Sequence, residues 1–170
     1  IIPAHNAEPW IGDQLASLAA QESSPAFEVV VVLDHCTDGT ERTARSFSGS
    51  VRLSIVETRE RRGPAHARNV GAAVAQGEYL LFCDADDRVA SNWVAEMLKP
   101  LQTPQCDLVG GALVVDRHTT RSWVYRSRFG SEEPLSIVRT RFNGLPYVLT
   151  ASAGIRADRF RYLGGFDEEL

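Results

Sequence analysis

Apolar strand patterns and amphipathic helix patterns alternate along residues 1–115 of this chain, with only short links between them. The run Phe27–Leu33 is rich in β-branched residues and continuously apolar, as expected for a strand that is covered on both faces. Residues 9–21 instead repeat their apolar positions at helical spacing. Such alternation predicts a mostly parallel sheet with right-handed helical crossovers, whose ligands bind beyond the carboxyl ends of the strands.

The element boundaries follow from caps, turn residues and β-branched runs. The predicted strands are Ile1–Pro3, Phe27–Leu33, Val51–Glu57, Tyr79–Cys83 and Leu108–Val115. The predicted helices begin at Pro9, Asp38, Gly63-Pro64 and Ser91, and end at Gln21, Phe47, Gly77 and Pro100. Asp38 and Glu41 have the spacing of a capping box. After Asp116 the alternation stops, and residues 123–147 predict a strand or two with irregular segments. A short helix, Ala157–Leu163, follows and ends at Gly164-Gly165.

Length and charge exclude several classes of protein. A chain of 170 residues fits one domain, and its net charge of −4 argues against a nucleic-acid partner. No apolar run approaches the roughly 18 residues of a membrane span. Three scattered cysteines, Cys36, Cys83 and Cys106, predict free thiols in a reducing compartment. We therefore expect a cytoplasmic location, or the cytoplasmic face of a membrane reached through segments outside this chain. A start at Ile1 without Met suggests a domain truncated at both ends.

The usual glycine-rich phosphate loops are absent from the sequence. There is no G-x-G dinucleotide fingerprint and no Gly-Lys-Ser/Thr of a P-loop. Three carboxylates in the loop Asp84–Asp87 instead follow the apolar strand Tyr79–Cys83. Such a cluster is typical of a hard divalent cation site, because these ions prefer oxygen ligands, and a metal there can bridge a diphosphate. A solvated acidic turn that caps the next helix is the alternative.

Two further positions bear on a site at this end of the sheet. Asp34 follows the second strand, where a carboxylate can accept N–H bonds from a nucleobase or from the next helix N-terminus. Gly71 lies within a predicted helix, where glycine costs about 1 kcal/mol relative to alanine. We expect it to serve close backbone packing.

Five motifs in this order resemble family 2 glycosyltransferases of the GT-A fold. They are Pro3-Ala4-His5-Asn6, Asp34 with Thr37-Asp38-Gly39-Thr40, Ala67-Arg68-Asn69-Val70-Gly71, Gly77–Phe82 and Asp84–Asp87. Gly164-Gly165-Phe166-Asp167-Glu168 is similar to the segment that precedes that family's catalytic base. The resemblance spans essentially the whole chain. It implies an α/β GT-A (Rossmann-like) domain that transfers a sugar, with inversion, from a nucleotide-diphosphate sugar, most often a UDP-sugar, to an acceptor hydroxyl of a glycan, a lipid or a small molecule.

The resemblance also implies roles for individual residues. Asp34 would meet the base, Arg68 would help to hold the nucleotide, and Asp86 would ligate Mn or Mg directly. The residues expected to bind the donor are Pro3, His5, Asn6, Glu8, Asp34, Arg68 and Asp84, and those expected at the metal are Asp86 and Asp84. Residues 1–115 would form the nucleotide-sugar part, and residues 116–170 an incomplete acceptor-side part. The stretch Tyr147–Arg156 would face donor sugar and acceptor.

The chain departs from the family pattern in two places. His35 stands where many members have a second acidic residue, and His5 where tyrosine is frequent; we expect both to be structural histidines. The family's general base lies beyond Leu170, so no catalytic residue is assigned, and this chain alone is expected to bind donor and metal but transfer sugar poorly.

Other functional classes fit the sequence less well. A nucleotide-sugar binding module without turnover shares every feature of the site. A phosphotransfer domain of the haloacid-dehalogenase type needs Thr or Val four places after the first Asp, on the first strand. Here that place is Arg88, after the fourth strand. A sugar nucleotidylyltransferase needs a glycine-rich basic loop near the N-terminus, which is missing.

Overall fold

The computed structural model of the chain describes residues 1–22, 24–113, 141–142 and 145–169. The strands are β1 (Ile2–Ala4), β2 (Val29–Asp34), β3 (Leu53–Thr58), β4 (Tyr79–Cys83), β5 (Leu108–Gly110), β6 (Arg141–Phe142), β7 (Leu145–Pro146) and β8 (Ser152–Arg156). The helices are α1 (Ile11–Ala19), α2 (Thr40–Arg45), α3 (Pro64–Val74), α4 (Trp93–Leu101) and α5 (Ala157–Tyr162). Most of the aromatic and arginine-rich stretch 123–147 lies outside the described residues.

Six of the strands form two three-stranded units that meet edge to edge, and β6 and β7 form a separate antiparallel pair. In the first, β1 pairs with β2 and β2 with β3, all parallel, with Ile2 opposite Val31 and Val29 opposite Leu53. In the second, β8 lies between β4 and β5 and is antiparallel to both. The backbone N–H of Cys83 donates to the carbonyl of Ile1 at 3.3 Å and joins β4 to β1. The order is β3-β2-β1-β4-β8-β5, and the predicted mostly parallel α/β sheet is confirmed.

Helices cover both faces of the parallel unit. All six residues of β2 are buried, as its apolar run predicts. On one face, Ile11 and Leu15 of α1 are fully buried against Ile2 and Val31. On the other face α3 packs at Gly71, where an added Cβ would lie 2.5 Å from Ile1 Cγ2 and 3.0 Å from Val32 Cγ2. The predicted close packing at Gly71 is therefore confirmed.

Several predicted boundaries are wrong by one to several residues; strand β5, for example, ends at Gly110 rather than at the predicted Val115. Pro100 lies inside α4 and does not stop it, since a proline in the last turn removes only one helical hydrogen bond before the helix ends at Leu101. Ser91 is not the cap of α4; Asn92 precedes the helix, and the Ser91 carbonyl accepts a bond from the backbone N–H of Glu22. Helix α3 ends at Val74, because Ala75 is already extended with ψ 137°.

The capping box predicted at α2 does not form, because the N-cap is Gly39 rather than Asp38 and no side chain caps it. Asp38 Oδ1 instead accepts the backbone N–H of Thr40, two residues further along the chain, at 3.0 Å. The Glu41 carboxylate does not reach back toward Asp38 but pairs with Arg45, one helical turn away, at 2.6 Å.

Within the described part of the chain, no helix has the length and apolar character needed to cross a membrane.

Candidate functional site

A cavity of about 400 Å³ opens at the carboxyl ends of β1, β2 and β4. This volume lies in the range of small-molecule sites, and the position is where parallel α/β sheets bind ligands. The cavity is lined by Pro3, Ala4, His5, Ala7, Trp10, Asp34, Pro64, Arg68, Asp84, Ala85, Asp86 and Thr150. Six of the eight predicted site residues are therefore brought together here, and Asn6 and Glu8 are not among them.

Asp34 is held rigidly where β2 ends. His35 Nδ1 lies 2.7 Å from Asp34 Oδ1, and the backbone N–H of Gly63 donates to Asp34 Oδ2 at 3.0 Å. Burial opposes ionisation of this carboxyl, but the hydrogen bonds from His35 and Gly63 outweigh it and hold its pKa below the usual range. Asp34 is therefore a fixed anion that still offers lone pairs to a ligand.

The two histidines of this region brace the loops that surround Asp34. His5 Nδ1 lies 2.6 Å from the carbonyl oxygen of Asp34, which ties the end of β1 to the end of β2. His35 Nε2 lies 3.1 Å from the carbonyl oxygen of Arg59, which ties the end of β2 to the loop before α3. These contacts agree with the expectation that both are structural histidines.

Asn6 and Glu8 brace the loop between β2 and α2. Asn6 has a positive φ of 48°, and its Oδ1 accepts the backbone N–H of Thr37 at 2.8 Å. Glu8 accepts the backbone N–H of Gly39 at 2.9 Å and pairs with Arg42 at 2.8 Å. Both side chains are thus engaged outside the cavity lining, although the family resemblance implies that they bind donor.

The acidic loop after β4 brings three carboxylates together. Asp84, Asp86 and Asp87 each place an oxygen atom within 4.8 Å of the other two. Burial, reinforced by the charges of Asp84 and Asp86, raises the pKa of Asp87 to about 6. The loop is therefore an electrostatically unfavourable cluster that a cation would relieve.

Arg68 reaches this cluster from α3. Its Nη2 donates to Asp84 Oδ1 at 2.5 Å, and only 7% of the residue is exposed. The carbonyl of Asp84 accepts a bond from Nε2 of Gln14, a fully buried residue of α1, at 2.9 Å. The loop is thus fixed from both neighbouring helices, while the side chain of Asp86 is exposed.

The donor set of this loop fits a hard divalent cation. Carboxylate oxygens are the ligands that Mg²⁺ and Mn²⁺ prefer, and three of them within one small cluster carry the charge that such an ion needs. Arg68 compensates only part of that charge through Asp84. Asp84, Asp86 and Asp87 are therefore the residues of the described chain that could hold a metal.

Sequence reasoning missed several features near the site. Trp10 lines the cavity with 51% of its surface exposed, but an aromatic residue just before a helix carries no signal of its own. His66 carries no signal in the sequence either, yet its Nδ1 lies 3.0 Å from Glu168 and its Nε2 2.8 Å from Thr58 Oγ1. The hydrogen bonds from Asn69 and His66 lower the pKa of Glu168. Glu168 lies so far along the chain from His66 and Asn69 that no local sequence pattern could predict these contacts.

A second, larger cavity of about 520 Å³ lies at the amino ends of the strands. Its walls include Phe27, Val29, Tyr79 and Leu80. None of the eight predicted site residues lines it, so chemistry rather than size favours the acidic cavity as the functional site.

The sequence model described as glycosyl transferase family 2 matches residues 1–164. Among solved structures, the protein is similar to Staphylococcus aureus TarS 1–349 in complex with UDP, with a TM-score of 0.75 and 28% identity over 100% of this chain and 50% of that one. It is equally similar to the mannosyltransferase PcManGT from Pyrobaculum calidifontis in complex with GDP-Man and Mn²⁺, with a TM-score of 0.75 and 28% identity over 99% and 47% of the two chains.

Curated relatives agree with this assignment. An uncharacterized glycosyltransferase of Bacillus subtilis, YfnE, is 36% identical over 99 residues, which are 58% of this chain and 25% of that protein. The poly(ribitol-phosphate) beta-N-acetylglucosaminyltransferase TarS of Staphylococcus aureus is 37% identical over 91 residues, 52% of this chain and 16% of that protein. The chain thus spans a quarter or less of these relatives and about half of the solved chains.

The fold and its acidic cavity define an α/β domain of the GT-A class. Within that class, the chain belongs to glycosyl transferase family 2.

Proposed function

We propose that the protein is a metal-dependent inverting glycosyltransferase that uses a nucleotide-diphosphate sugar, with a UDP-sugar favoured. The observation that carries this proposal is the cluster of Asp84, Asp86 and Asp87 at the cavity, with Arg68 bound to Asp84. The solved neighbours that hold UDP, or GDP-Man with Mn²⁺, support a donor and a cation of this kind.

The proposed donor site has two ends. Asp34 offers lone pairs to the N–H of a nucleobase at one end, and the acidic loop with Arg68 faces the diphosphate at the other. A divalent cation held by Asp86 and Asp84 would neutralise the diphosphate as it leaves. Pro3 and His5 line the cavity between the two ends, while Asn6 and Glu8 act through the loop before α2.

The proposed reaction is a single displacement at the anomeric carbon. The acceptor hydroxyl oxygen forms a bond to that carbon while the bond to the diphosphate oxygen breaks, and the electron pair leaves with the nucleoside diphosphate. The hydroxyl proton passes to a general base, because a neutral alcohol is a weak nucleophile. We assign that base to no described residue.

Titration calorimetry tests the donor site. UDP, and separately GDP, is titrated into the protein with Mn²⁺ and with EDTA. We expect Mn²⁺-dependent binding of UDP, at least tenfold weaker in Asp86→Asn, because the amide removes the charge and keeps the size of the side chain. Asp158→Asn is the matched control, since Asp158 is an exposed carboxylate on α5 outside the cavity lining. Nucleotide binding of equal affinity with Mn²⁺ and with EDTA would contradict the proposal.

A binding module without turnover is the second candidate, because it would share the whole donor site. The two functions differ in whether donor is consumed. Release of UDP from a UDP-sugar in the presence of acceptor, with inversion seen in the anomeric NMR coupling of the product, supports the transferase. Tight binding with no release of UDP across a panel of acceptors supports the module.

A further inference from the structure

The chain turns back over helix α3 immediately after α5. Two glycines with positive φ, Gly164 at 82° and Gly165 at 83°, make this turn. The next residue, Phe166, is gripped by the side chain of Asn69: its N–H donates to Asn69 Oδ1 at 2.8 Å, and Asn69 Nδ2 donates to its carbonyl at 2.9 Å. A Cβ on Gly165 would lie 2.6 Å from Asn69 Oδ1. The turn and the amide of Asn69 therefore fix the backbone of Phe166 against α3.

The ring of Phe166 contacts both other aromatic rings and an arginine of the acidic cavity. It packs edge-on against Phe82 of β4, with ring centroids 5.2 Å apart, and against Phe160 of α5 at 5.3 Å. The guanidinium carbon of Arg68, which lines the cavity, stands over the ring, 6.0 Å from its centroid. A cation at this distance over an aromatic face is attracted to it.

The contact with the Phe166 ring matters more for Arg68 than it would for an exposed arginine, because little water reaches the Arg68 guanidinium. It is almost fully buried, and its Nε has no hydrogen-bond partner among the described residues. Its Nη2 grips Asp84 in the acidic loop. The ring of Phe166 thus supplies a favourable contact to the same guanidinium that donates to Asp84 in the acidic loop.

We propose that Phe166 is a positioning residue of the donor site, which holds the Arg68 guanidinium toward Asp84 and is itself held by Asn69. This inference rests on the proposed function, because it assigns Phe166 an effect on nucleotide and metal binding. Phe166 does not line the cavity, and it acts on the ligand only through Arg68.

A double-mutant cycle between Phe166 and Arg68 tests this role. Phe166→Leu keeps most of the apolar volume but removes the ring face, and Phe166→Tyr keeps the ring. Phe160→Leu is the matched control, because Phe160 belongs to the same aromatic cluster and the described contacts of Arg68 do not include it. The affinity for UDP in saturating Mn²⁺ is measured by calorimetry and the midpoint of thermal unfolding by circular dichroism, for these variants and for Arg68→Ala.

We expect Phe166→Leu to weaken UDP binding by about three- to tenfold, which is the size of a partly desolvated cation–π contact. Phe166→Tyr should bind as the wild type does. Phe160→Leu should lower the unfolding midpoint by a similar amount to Phe166→Leu but leave the affinity within twofold. In the Arg68→Ala background, Phe166→Leu should have no further effect on affinity.

Equal affinities of Phe166→Leu and Phe160→Leu would overturn the inference, as would independent losses at Phe166 and Arg68 that multiply in the double variant. Both results require a wild type that binds UDP with Mn²⁺, so they are distinct from failure of the proposed function. A wild type that does not bind UDP with Mn²⁺ would overturn the proposed function, and this inference with it.

Discussion

Asp34 shows how a single carboxylate can serve the fold and the site at once. Each of its oxygens accepts a bond from a different loop, one from His35 and one from the backbone of Gly63. The Asp34 side chain therefore ties the end of β2 to the start of α3, and its partner His35 contacts the carbonyl of Arg59 after β3. Replacing it tests the electrostatic part of this arrangement.

We predict that Asp34→Asn lowers the free energy of unfolding at pH 7 by about 1–3 kcal/mol. An amide is uncharged and has one accepting oxygen, so it cannot accept from both His35 Nδ1 and the N–H of Gly63 as the carboxylate does. Because the pKa of Asp34 is lowered in the folded state, its stabilisation is present above the unfolded pKa and is lost as the pH falls through the folded value. The difference between variant and wild type should narrow as the pH falls below about 4.

Urea denaturation at several pH values measures this difference. Glu60→Gln, an exposed carboxylate in the neighbouring loop, should stay within about 0.5 kcal/mol of the wild type. A variant of Asp34 as stable as the wild type at pH 7 would show that the two hydrogen bonds contribute nothing net.

Sequence reasoning succeeded for residues whose partners lie close along the chain. The Asp84–Asp87 cluster is visible because its three carboxylates fall within four residues after a buried strand. The contact between His66 and Glu168 joins residues 102 positions apart, and nothing in the sequence around either one predicts the other as its partner. Pairings of this kind require the fold.

Helix α3 is the element on which the site most depends, because it presents Arg68 and Asn69 from adjacent positions and packs on the sheet along the buried face that carries Arg68 and Gly71. Gly71 allows that packing, with its Cα facing Ile1 and Val32. The helix stands close enough to the strands for Arg68 to reach the end of β4.

We predict that Gly71→Ala destabilises the protein by about 1–3 kcal/mol even though alanine is the better helix former. The added methyl group would meet two β-branched side chains at 2.5 and 3.0 Å, which cannot move without shifting the strands. Gly12→Ala in α1 is the matched control: its nearest neighbour, Thr43 Cγ2, lies at 3.5 Å, and the change should be neutral or stabilising by up to about 1 kcal/mol. Thermal unfolding of the two variants compares them directly, and a stabilised Gly71→Ala would refute the packing argument.

Helices and strands with a regular spacing of apolar residues could be predicted from the sequence, but strand β8 could not. Strand β4 was bounded correctly at both ends, because its apolar run is framed by a glycine and an acidic loop. Strand β8 contains Gly154 at its centre, which is unfavourable for a strand judged locally. The structure explains that glycine, since a Cβ there would lie 2.7 Å from Leu81 Cδ2 and 2.9 Å from Val109 Cγ1 on the two flanking strands.

At the scale of the molecule, ligands of the acidic cavity should stabilise the whole fold. The cavity is built from the ends of β1, β2 and β4 together with α3, so a bound ligand ties these elements together. The repulsion within the acidic loop, visible in the raised pKa of Asp87, is also relieved by a cation.

We predict that UDP with Mn²⁺, each at about one hundred times its dissociation constant, raises the unfolding midpoint by roughly 5–10 °C. EDTA should reverse the effect, and Asp86→Asn should abolish the part that depends on Mn²⁺. Differential scanning calorimetry with and without EDTA measures both. An equal shift with UDP alone would show that the cation does not contribute to the site.

The general architecture could be predicted, because the spacing of apolar residues within each segment distinguishes strands from helices. What could not be predicted is the order in which distant strands meet. The insertion of β8 between β4 and β5 is a contact between segments about 70 and 45 residues apart, and no local period encodes it.

That insertion has a consequence for how the protein is made. While the ribosome is still adding residues before Ser152, the edges of β4 and β5 that β8 will cover have no partner. Leu80 and Val109 on those strands are buried in the finished sheet. For that interval the nascent chain carries two unpaired apolar strand edges, the feature that most readily draws chains into aggregates. Recovery of soluble protein should therefore depend on how fast synthesis passes residues 111–156, and a slow stretch of codons there should lower the yield without changing any amino acid.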